Sequence, residues 1–315
     1  MIKNMALLVL AFVLTGCDLF ESGVPYTLDN PTGKAITVSL DNKNYDLAAT
    51  SNVKVELKSG IHTLSYDGET ATFYLFKGSK GGLINPTLSN YYVNYVFYKT
   101  ANDGYDGNKM AEQMLKSYEN TQTVLDRSIT GHFVKYDSLL IEKLGDTYSW
   151  FFDVDQDYSD AVSSTSAIKV MGKIFREGDF AAAVFDVLPE SYNSPEPRRR
   201  FSDLPLFYPS FTMLHECAQI NAYFLDVNRR LIALQGIQTS DAEREEIKKG
   251  MQMHNIDFSN AKKECPKKDF YVETDVGGYK SRSLDNDAIN AYEEPERKYN
   301  DGMKWIMERR LFLLK

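Results

Sequence analysis

The 315-residue chain lacks the sequence motifs of the commonest catalytic centres. It contains no G-x-S-x-G nucleophile elbow, and no glycine-rich phosphate loop precedes a predicted helix, which excludes the usual serine-hydrolase and nucleotide-binding patterns. His215-Glu216 begins like the zinc motif H-E-x-x-H, but the position of the second histidine is Gln219. No cofactor is therefore expected.

Positive charge is also scarce. The chain has 36 basic and 44 acidic residues, a net charge of −8, and one dense basic run at residues 198–200 (RRR). An acidic chain without a large basic tract binds nucleic acid poorly, so no nucleic-acid partner is expected. We interpret the arginine run as a solvated loop, and contact with an anion or a lipid headgroup is the alternative.

The N-terminus contains a lysine, a short apolar stretch and a cysteine. Lys3 precedes the apolar residues 5–14, which are too few to cross a bilayer as a helix but fit the core of a signal peptide. Residues 14–17 (LTGC) then match all four positions of a lipobox, and the first 18 residues resemble those of bacterial lipoproteins.

This resemblance implies that residues 1–16 are a signal peptide removed before Cys17. It also implies that the Cys17 thiol is diacylated and that the new amine is acylated, and two or more acyl chains give stable anchoring. We expect a membrane-anchored protein on the periplasmic face of the envelope, with residues 17–23 as a tether. Asp18 resembles the inner-membrane retention signal of enteric lipoproteins and favours that membrane. A buried cysteine after an ordinary signal peptide is the alternative.

Two further cysteines, Cys217 and Cys265, complete the total of three. An even pair in an oxidising compartment is expected to form a disulfide, although two separate buried thiols would also fit the sequence. No C-x-x-C motif or close histidine pair accompanies them, so a metal site is not expected.

Residues 24–100 have the pattern of β-structure. Apolar Ile36, Val38 and Leu40 alternate with polar residues, and short strands follow at close spacing, which is typical of a small β-sandwich. Residues 36–65 resemble the PEGA-like surface β-domains in the segments 38–41 (VSLD) and 55–62 (VELKSGIH), although Asn42 replaces the expected glycine. That resemblance implies a non-catalytic module.

The polar, glycine-containing segment 101–108 is the predicted linker to a second domain at residues 109–315. In this second domain strand patterns come first and helical patterns follow. One face of a predicted helix that ends near Gly236 carries Phe211, Leu214, Ala218, Ala222 and Leu225, and residues 284–314 have helical composition. This order predicts an α+β fold, with a small N-terminal β-sandwich-like domain and a mixed domain that carries C-terminal helices.

The candidate catalytic residues are His132, His215 and Glu216, although a histidine in such positions is more often structural. A second candidate site is acidic: Asp153, Asp155 and Asp157 have the D-x-D-x-D spacing that begins a calcium loop. Tyr158 and Ser164 stand where that loop needs glycine and glutamate, so a solvated acidic turn is the default interpretation.

Together these features predict a membrane-anchored envelope protein that acts by binding rather than by catalysis. Its partner is expected to be an envelope protein or a glycan, and an inhibitor-like or immunity-like role belongs to this class. An envelope hydrolase is one alternative. A structural subunit of an envelope or secretion assembly is the other.

The lipobox makes a prediction for the mature N-terminus. The protein purified from membranes should begin at Cys17 and carry acyl mass on that residue, and Cys17→Ala should leave the signal peptide uncleaved because the thiol can no longer be diacylated. Mass spectrometry of the N-terminal peptide checks both points. A native chain that begins at Met1, or a first residue without acyl mass, would contradict the anchor.

Overall fold

The computed structural model describes residues 22–99, 116–143, 150–159, 168–193, 199–204, 215–252, 254–276 and 279–314, together with Lys109 and Gln113. These residues form an α+β fold in which sheets come first and helices follow, as the sequence predicts. The signal peptide, Cys17, Asp18 and the linker 101–108 lie outside the described residues.

The strands and helices are numbered in chain order. The strands are β1 Val24–Asn30, β2 Ile36–Leu40, β3 Lys43–Leu47, β4 Ser51–Leu57, β5 Gly60–Tyr66, β6 Glu69–Leu75, β7 Gly82–Ile84, β8 Tyr91–Lys99, β9 Asn120–Val124, β10 Arg127–Gly131, β11 Phe133–Tyr136, β12 Leu140–Glu142, β13 Ile168–Arg176, β14 Tyr271–Val276, β15 Tyr279–Leu284 and β16 Leu311–Leu314. The helices are α1 Glu177–Val184, α2 Ala218–Gln235, α3 Asp241–Gln252, α4 His254–Lys263 and α5 Asn286–Glu308.

Two sheets pack face to face as a sandwich. The first has the order β12–β7–β1–β4, and the second has the order β16–β6–β5–β2–β3. Their shared core includes Leu28, Val38, Leu64 and Phe73, none of which is exposed. In β2 the predicted alternation holds, because Val38 and Leu40 are buried while Thr37 is exposed.

Strands from outside residues 24–100 complete both sheets of the sandwich. β12 forms an edge of the first sheet, and β16, from the end of the chain, forms an edge of the second. Both strands come from the range that the sequence assigns to the second domain. The pairing needs an apolar strand at each open edge, and a local sequence pattern does not show which distant segment supplies it.

The helices α2 to α5 cover the outer face of the second sheet. Phe76 and Phe312 of that sheet pack with Phe224, Leu231 and other apolar side chains in a second core. In β16, Leu311 and Leu313 face the sandwich core while Phe312 and Leu314 face the helices. The protein therefore has three layers, namely sheet, sheet and helices.

The position of α2 differs from the sequence prediction in one respect. The helix ends at Gln235, with Gly236 as its C-cap, close to the predicted end. However, Ala218, Ala222 and Leu225 are exposed, and the buried face carries Ile220, Phe224 and four further residues, namely Val227, Leu231, Leu234 and Gln235. Phe211 and Leu214 of the predicted face lie outside the described residues. The helix has two apolar stripes, and the bulkier stripe is the one buried against the sheet because it removes more apolar area from water.

A third sheet, β11–β8–β13, and the hairpin β9–β10 lie beyond the sandwich. The helix α1 packs against β13, where the Phe180 ring stacks on Tyr92 with centroids 4.6 Å apart. A separate hairpin, β14–β15, is exposed along its described length and displays Tyr271, Val272 and Tyr279. The helical composition of residues 284–314 predicts helix where β16 is found.

The Sγ atoms of Cys217 and Cys265 lie at disulfide bonding distance, and their Cα atoms are 5.7 Å apart. The predicted pairing is thus confirmed. It joins the start of α2 to the end of α4. Among the described helices, none has both the length and the apolar character needed to cross a bilayer.

The disulfide predicts a measurable loss of stability when it is removed. The two cysteines are 48 residues apart, and closing a loop of that size lowers the entropy of the unfolded chain. The double variant Cys217→Ser/Cys265→Ser should therefore lose about 4 kcal/mol of unfolding free energy in urea titrations. Reduced wild-type protein should show the same loss, and identical curves for oxidised and reduced protein would contradict this role.

Candidate ligand-binding cleft

A cleft of about 690 Å³ lies where the sandwich meets the third sheet and α1. Three chain segments form its walls: the loop 31–36 between β1 and β2, the segment 87–90 before β8, and residues 176–179 at the junction of β13 and α1. Tyr66, Tyr192 and Arg199 complete its rim. Large concave sites with a few convergent polar groups are the usual positions for ligands.

A buried ion pair fixes the floor of the cleft. The Arg176 guanidinium donates two hydrogen bonds to Asp29, 2.6 Å to Oδ1 and 2.9 Å to Oδ2. The Tyr91 hydroxyl donates to Asp29 Oδ2 at 2.6 Å, and Asp29 is fully buried. The network joins β1, β8 and β13, so it holds two sheets in one orientation.

The surroundings of this network alter the pKa values of its members. Burial lowers the pKa of Arg176, but the hydrogen bonds and the charge of Asp29 outweigh burial and hold that pKa above its ordinary value. Burial, together with the charge of Asp29, raises the pKa of Tyr91 well above its ordinary value. Arg176 is thus charged and Tyr91 is neutral at every physiological pH.

Glu177 is held in place on the wall of the cleft. Its Oε1 accepts hydrogen bonds from Asn90 Nδ2 at 2.9 Å and from the Tyr92 hydroxyl at 3.2 Å. The backbone N–H of Glu177 also donates to the Asn90 carbonyl. Because Glu177 is already held in one conformation, its side chain loses little further entropy when a ligand binds to its carboxylate.

Backbone strain is concentrated at the same site. Six described residues other than glycine have positive φ, and three of them are Asp41, Asn42 and Asp67, types that tolerate this conformation. The other three, Thr50 (49°), Leu88 (53°) and Leu125 (55°), all line the cleft. A left-handed conformation costs about 1–2 kcal/mol for such residues, and strain of this kind is typical of ligand sites.

The predicted solvated arginine loop is corrected in part, because Arg199 is engaged. It donates to Asp137 Oδ2 at 2.9 Å and to the Leu88 carbonyl at 2.8 Å. Arg199 therefore supports one of the strained residues. Arg198 lies outside the described residues.

The predicted catalytic pair His215 and Glu216 is not assembled as a site. His215 is buried, its Nδ1 accepts the Cys217 N–H at 2.9 Å, and its Nε2 lies 3.7 Å from Glu296 Oε1. Burial lowers the pKa of His215. Glu216 is exposed and pairs with Lys268, because neighbouring residues before a helix point to different sides.

The third predicted catalytic residue, His132, lies elsewhere. Its ring packs edge-on against Phe97 with centroids 5.5 Å apart, next to the third sheet. His215 instead contacts Tyr292 of α5. Neither histidine lines the cleft.

The calcium candidate formed by Asp153, Asp155 and Asp157 is also corrected. Asp153 Oδ1 accepts a hydrogen bond from Trp150 Nε1 at 2.9 Å, and its carboxylate pairs with Lys54 and Lys143. The charge of Asp153 is therefore balanced by two lysines. Asp155 and Asp157 are exposed, and no group of three potential metal ligands occurs among the described residues.

Comparisons of the chain with protein-family models, with curated proteins and with solved structures find no match. The cleft therefore rests on geometry alone. Sequence reasoning missed it because its walls come from loops far apart in the chain. A leucine with positive φ also leaves no signal in a sequence, whereas an aspartate or asparagine in a turn does.

The strain at Thr50 can be tested by relieving it. Asparagine tolerates the left-handed conformation, so Thr50→Asn should stabilise the protein by about 1 kcal/mol in urea unfolding. The hydrogen bond from the Thr50 N–H to the Thr32 carbonyl, 2.9 Å, does not involve the side chain and should persist. The same exchange at Thr63, an exposed position inside β5, serves as control and should slightly destabilise. Equal effects at both positions would show that Thr50 is not strained.

Proposed function

We propose that this protein is a lipid-anchored, non-catalytic binding protein of the bacterial envelope, and that its cleft holds the ligand. The observation that carries the binding role is the placement of Thr50, Leu88 and Leu125, three strained residues, around one cleft. Strain of this kind persists only where the surrounding structure over-determines it. The anchor rests on the lipobox at residues 14–17.

The chemistry of the cleft favours a glycan as the ligand. Tyr66 and Tyr192 offer aromatic faces, on which the C–H faces of a sugar ring pack. Glu177, which is half-buried on the wall of the cleft, offers a carboxylate that accepts hydrogen bonds from sugar hydroxyls. The volume of about 690 Å³ is within the range of ligand pockets.

The course of β1 supports an outward-facing cleft. Cys17 is seven residues before Val24, so an extended tether reaches at most about 25 Å from the membrane. β1 then runs from Val24 to Asn30, about 20 Å for a strand of this length, and the cleft begins at the next residue. The tether precedes one end of β1 and the cleft begins after the other end, which supports a cleft directed away from the membrane, towards a polymer in the periplasm.

Co-sedimentation with purified peptidoglycan sacculi tests the proposal. The full chain should sediment with sacculi, and Tyr192→Ala or Glu177→Gln should weaken this binding at least tenfold because each removes a contact in the cleft. The matched control is Tyr279→Ala, which removes an exposed tyrosine from the hairpin β14–β15 and should leave binding unchanged.

Capture of binding partners from envelope extracts with the same variants distinguishes glycan binding from the two alternatives. If the cleft variants bind normally while Tyr279→Ala loses a stoichiometric protein partner, the protein acts through its hairpin and the glycan proposal is wrong. Release of soluble sugar from sacculi by the wild type, but not by Glu177→Gln, would instead indicate an envelope hydrolase.

A further inference from the structure

A second, apolar pocket opens where the two sheets of the sandwich separate. It lies between the edge strands β12 and β16 and has a volume of about 220 Å³. Leu139, Leu140, Leu204, Leu311 and Leu313 form its walls. An apolar cavity of about 150 Å³ is large enough to bind benzene in another protein, so this pocket has room for a short aliphatic chain.

One polar group faces this apolar space without a full set of partners. Glu142 is 5% exposed and lines the pocket. Its Oε1 accepts the Arg310 N–H at 2.9 Å, but its Oε2 receives no hydrogen bond from any described residue. A buried oxygen in this state destabilises the pocket, and a ligand that forms a hydrogen bond with Glu142 removes that penalty.

A cation lies beside the same oxygen. Arg309 Nη1 is 3.6 Å from Glu142 Oε2, too far for a hydrogen bond, and Arg309 also lines the pocket. Burial raises the pKa of Glu142 to about 7, so below neutral pH this group is mainly a neutral acid with an O–H to donate. The pocket thus combines leucine walls with a donor and a positive charge at one end.

We propose that this pocket binds a short aliphatic chain that ends in a carboxylate. The chain would lie among the five leucines, and the carboxylate would accept the Glu142 O–H and meet the Arg309 guanidinium. An amine would be repelled by Arg309, and a plain alkane would leave the buried carboxyl unsatisfied. The site is separate from the glycan proposal, although Arg199 borders both cavities.

Binding of such a ligand depends on the proton of Glu142. The groups that face Glu142 are Arg309 and Arg310 in the turn before β16, Lys248 of α3, and Tyr26 of β1. Burial raises the pKa of Tyr26 far above neutrality, so Tyr26 does not titrate in the range considered. Burial lowers the pKa of Lys248 to about 7, so Lys248 loses its positive charge over the same range and adds to the loss of affinity for a carboxylate. As the pH rises through 7, Glu142 ionises and repels the ligand carboxylate, so affinity falls.

Calorimetric titration of the full chain, carrying Cys17→Ser so that no acyl chain competes, tests this with octanoate and octanol. Octanoate should bind with 1:1 stoichiometry at pH 6, at least tenfold more tightly than octanol and at least tenfold more tightly than at pH 8.5. Glu142→Gln keeps a donor but cannot ionise, so its affinity for octanoate should change much less between the two pH values. The change that remains comes from Lys248, whose pKa burial lowers to about 7.

A second experiment fills the pocket with a larger side chain. Leu313→Phe should abolish octanoate binding, and Leu225→Phe on the exposed face of α2 is the matched control that should not. Circular dichroism checks that each variant is folded, and Leu204→Phe replaces Leu313→Phe if the latter unfolds. The proposal is overturned if octanoate does not bind at pH 6, if octanol binds as tightly, if the filled pocket still binds, or if Glu142→Gln keeps the full pH dependence.

Discussion

The pairing of β16 with β6 is the interaction on which the arrangement of this protein depends. Four residues, Leu311–Leu314, complete the second sheet, and their alternate side chains enter two different cores. Without this strand the edge of β6 would be open, and the helical layer would lose Phe312 and Leu314 from its core. Leu311 pairs with Leu75, which lies far earlier in the sequence, and such non-local pairing is slow.

The same dependence on distant segments produces both cavities. Arg176 meets Asp29 across 147 residues, and this ion pair sets the floor of the cleft. The apolar pocket exists because β12 and β16 form neighbouring edges of the two sheets, leaving a gap that Leu204 covers only in part. Removing one partner of a buried ion pair leaves an uncompensated buried charge. Loss of Arg176 or Asp29 would therefore disturb both the cleft and the packing of the sheets.

The sequence predicts well what is decided locally. Alternation at Ile36, Val38 and Leu40 predicts β2, and Gly236 marks the end of α2. The pair of cysteines that remains after Cys17 predicts the disulfide. The sequence does not predict features that depend on competition between segments far apart in the chain. The stripe of Ala218, Ala222 and Leu225 is apolar, yet a bulkier stripe on the same helix takes the core. The residues LFLL at 311–314 follow a helix and match helical composition, but an open sheet edge makes them a strand. Neither cavity could be predicted, because cavities are properties of the packing between elements.

The turn between α5 and β16 shows how the two cores are coupled electrostatically. Lys248 donates to the carbonyl oxygens of Ile306 and Arg309, which closes the C-terminal end of α5, while Glu142 accepts the Arg310 N–H from the other side. Burial lowers the pKa of Lys248 to about 7 and raises that of Glu142 to about 7. Folding therefore favours the neutral form of each group. Because the folded state disfavours ionised Glu142, this group lowers the free energy of unfolding increasingly as the pH rises from 4.5 to 7. Because it also disfavours charged Lys248, that group lowers the free energy of unfolding increasingly as the pH falls from 10.5 to 7. The two penalties to folding stability overlap near neutral pH, so the turn before β16 is least stable there. A ligand that brings its own carboxylate to Arg309 would bind at this turn, which joins the sandwich to the helices.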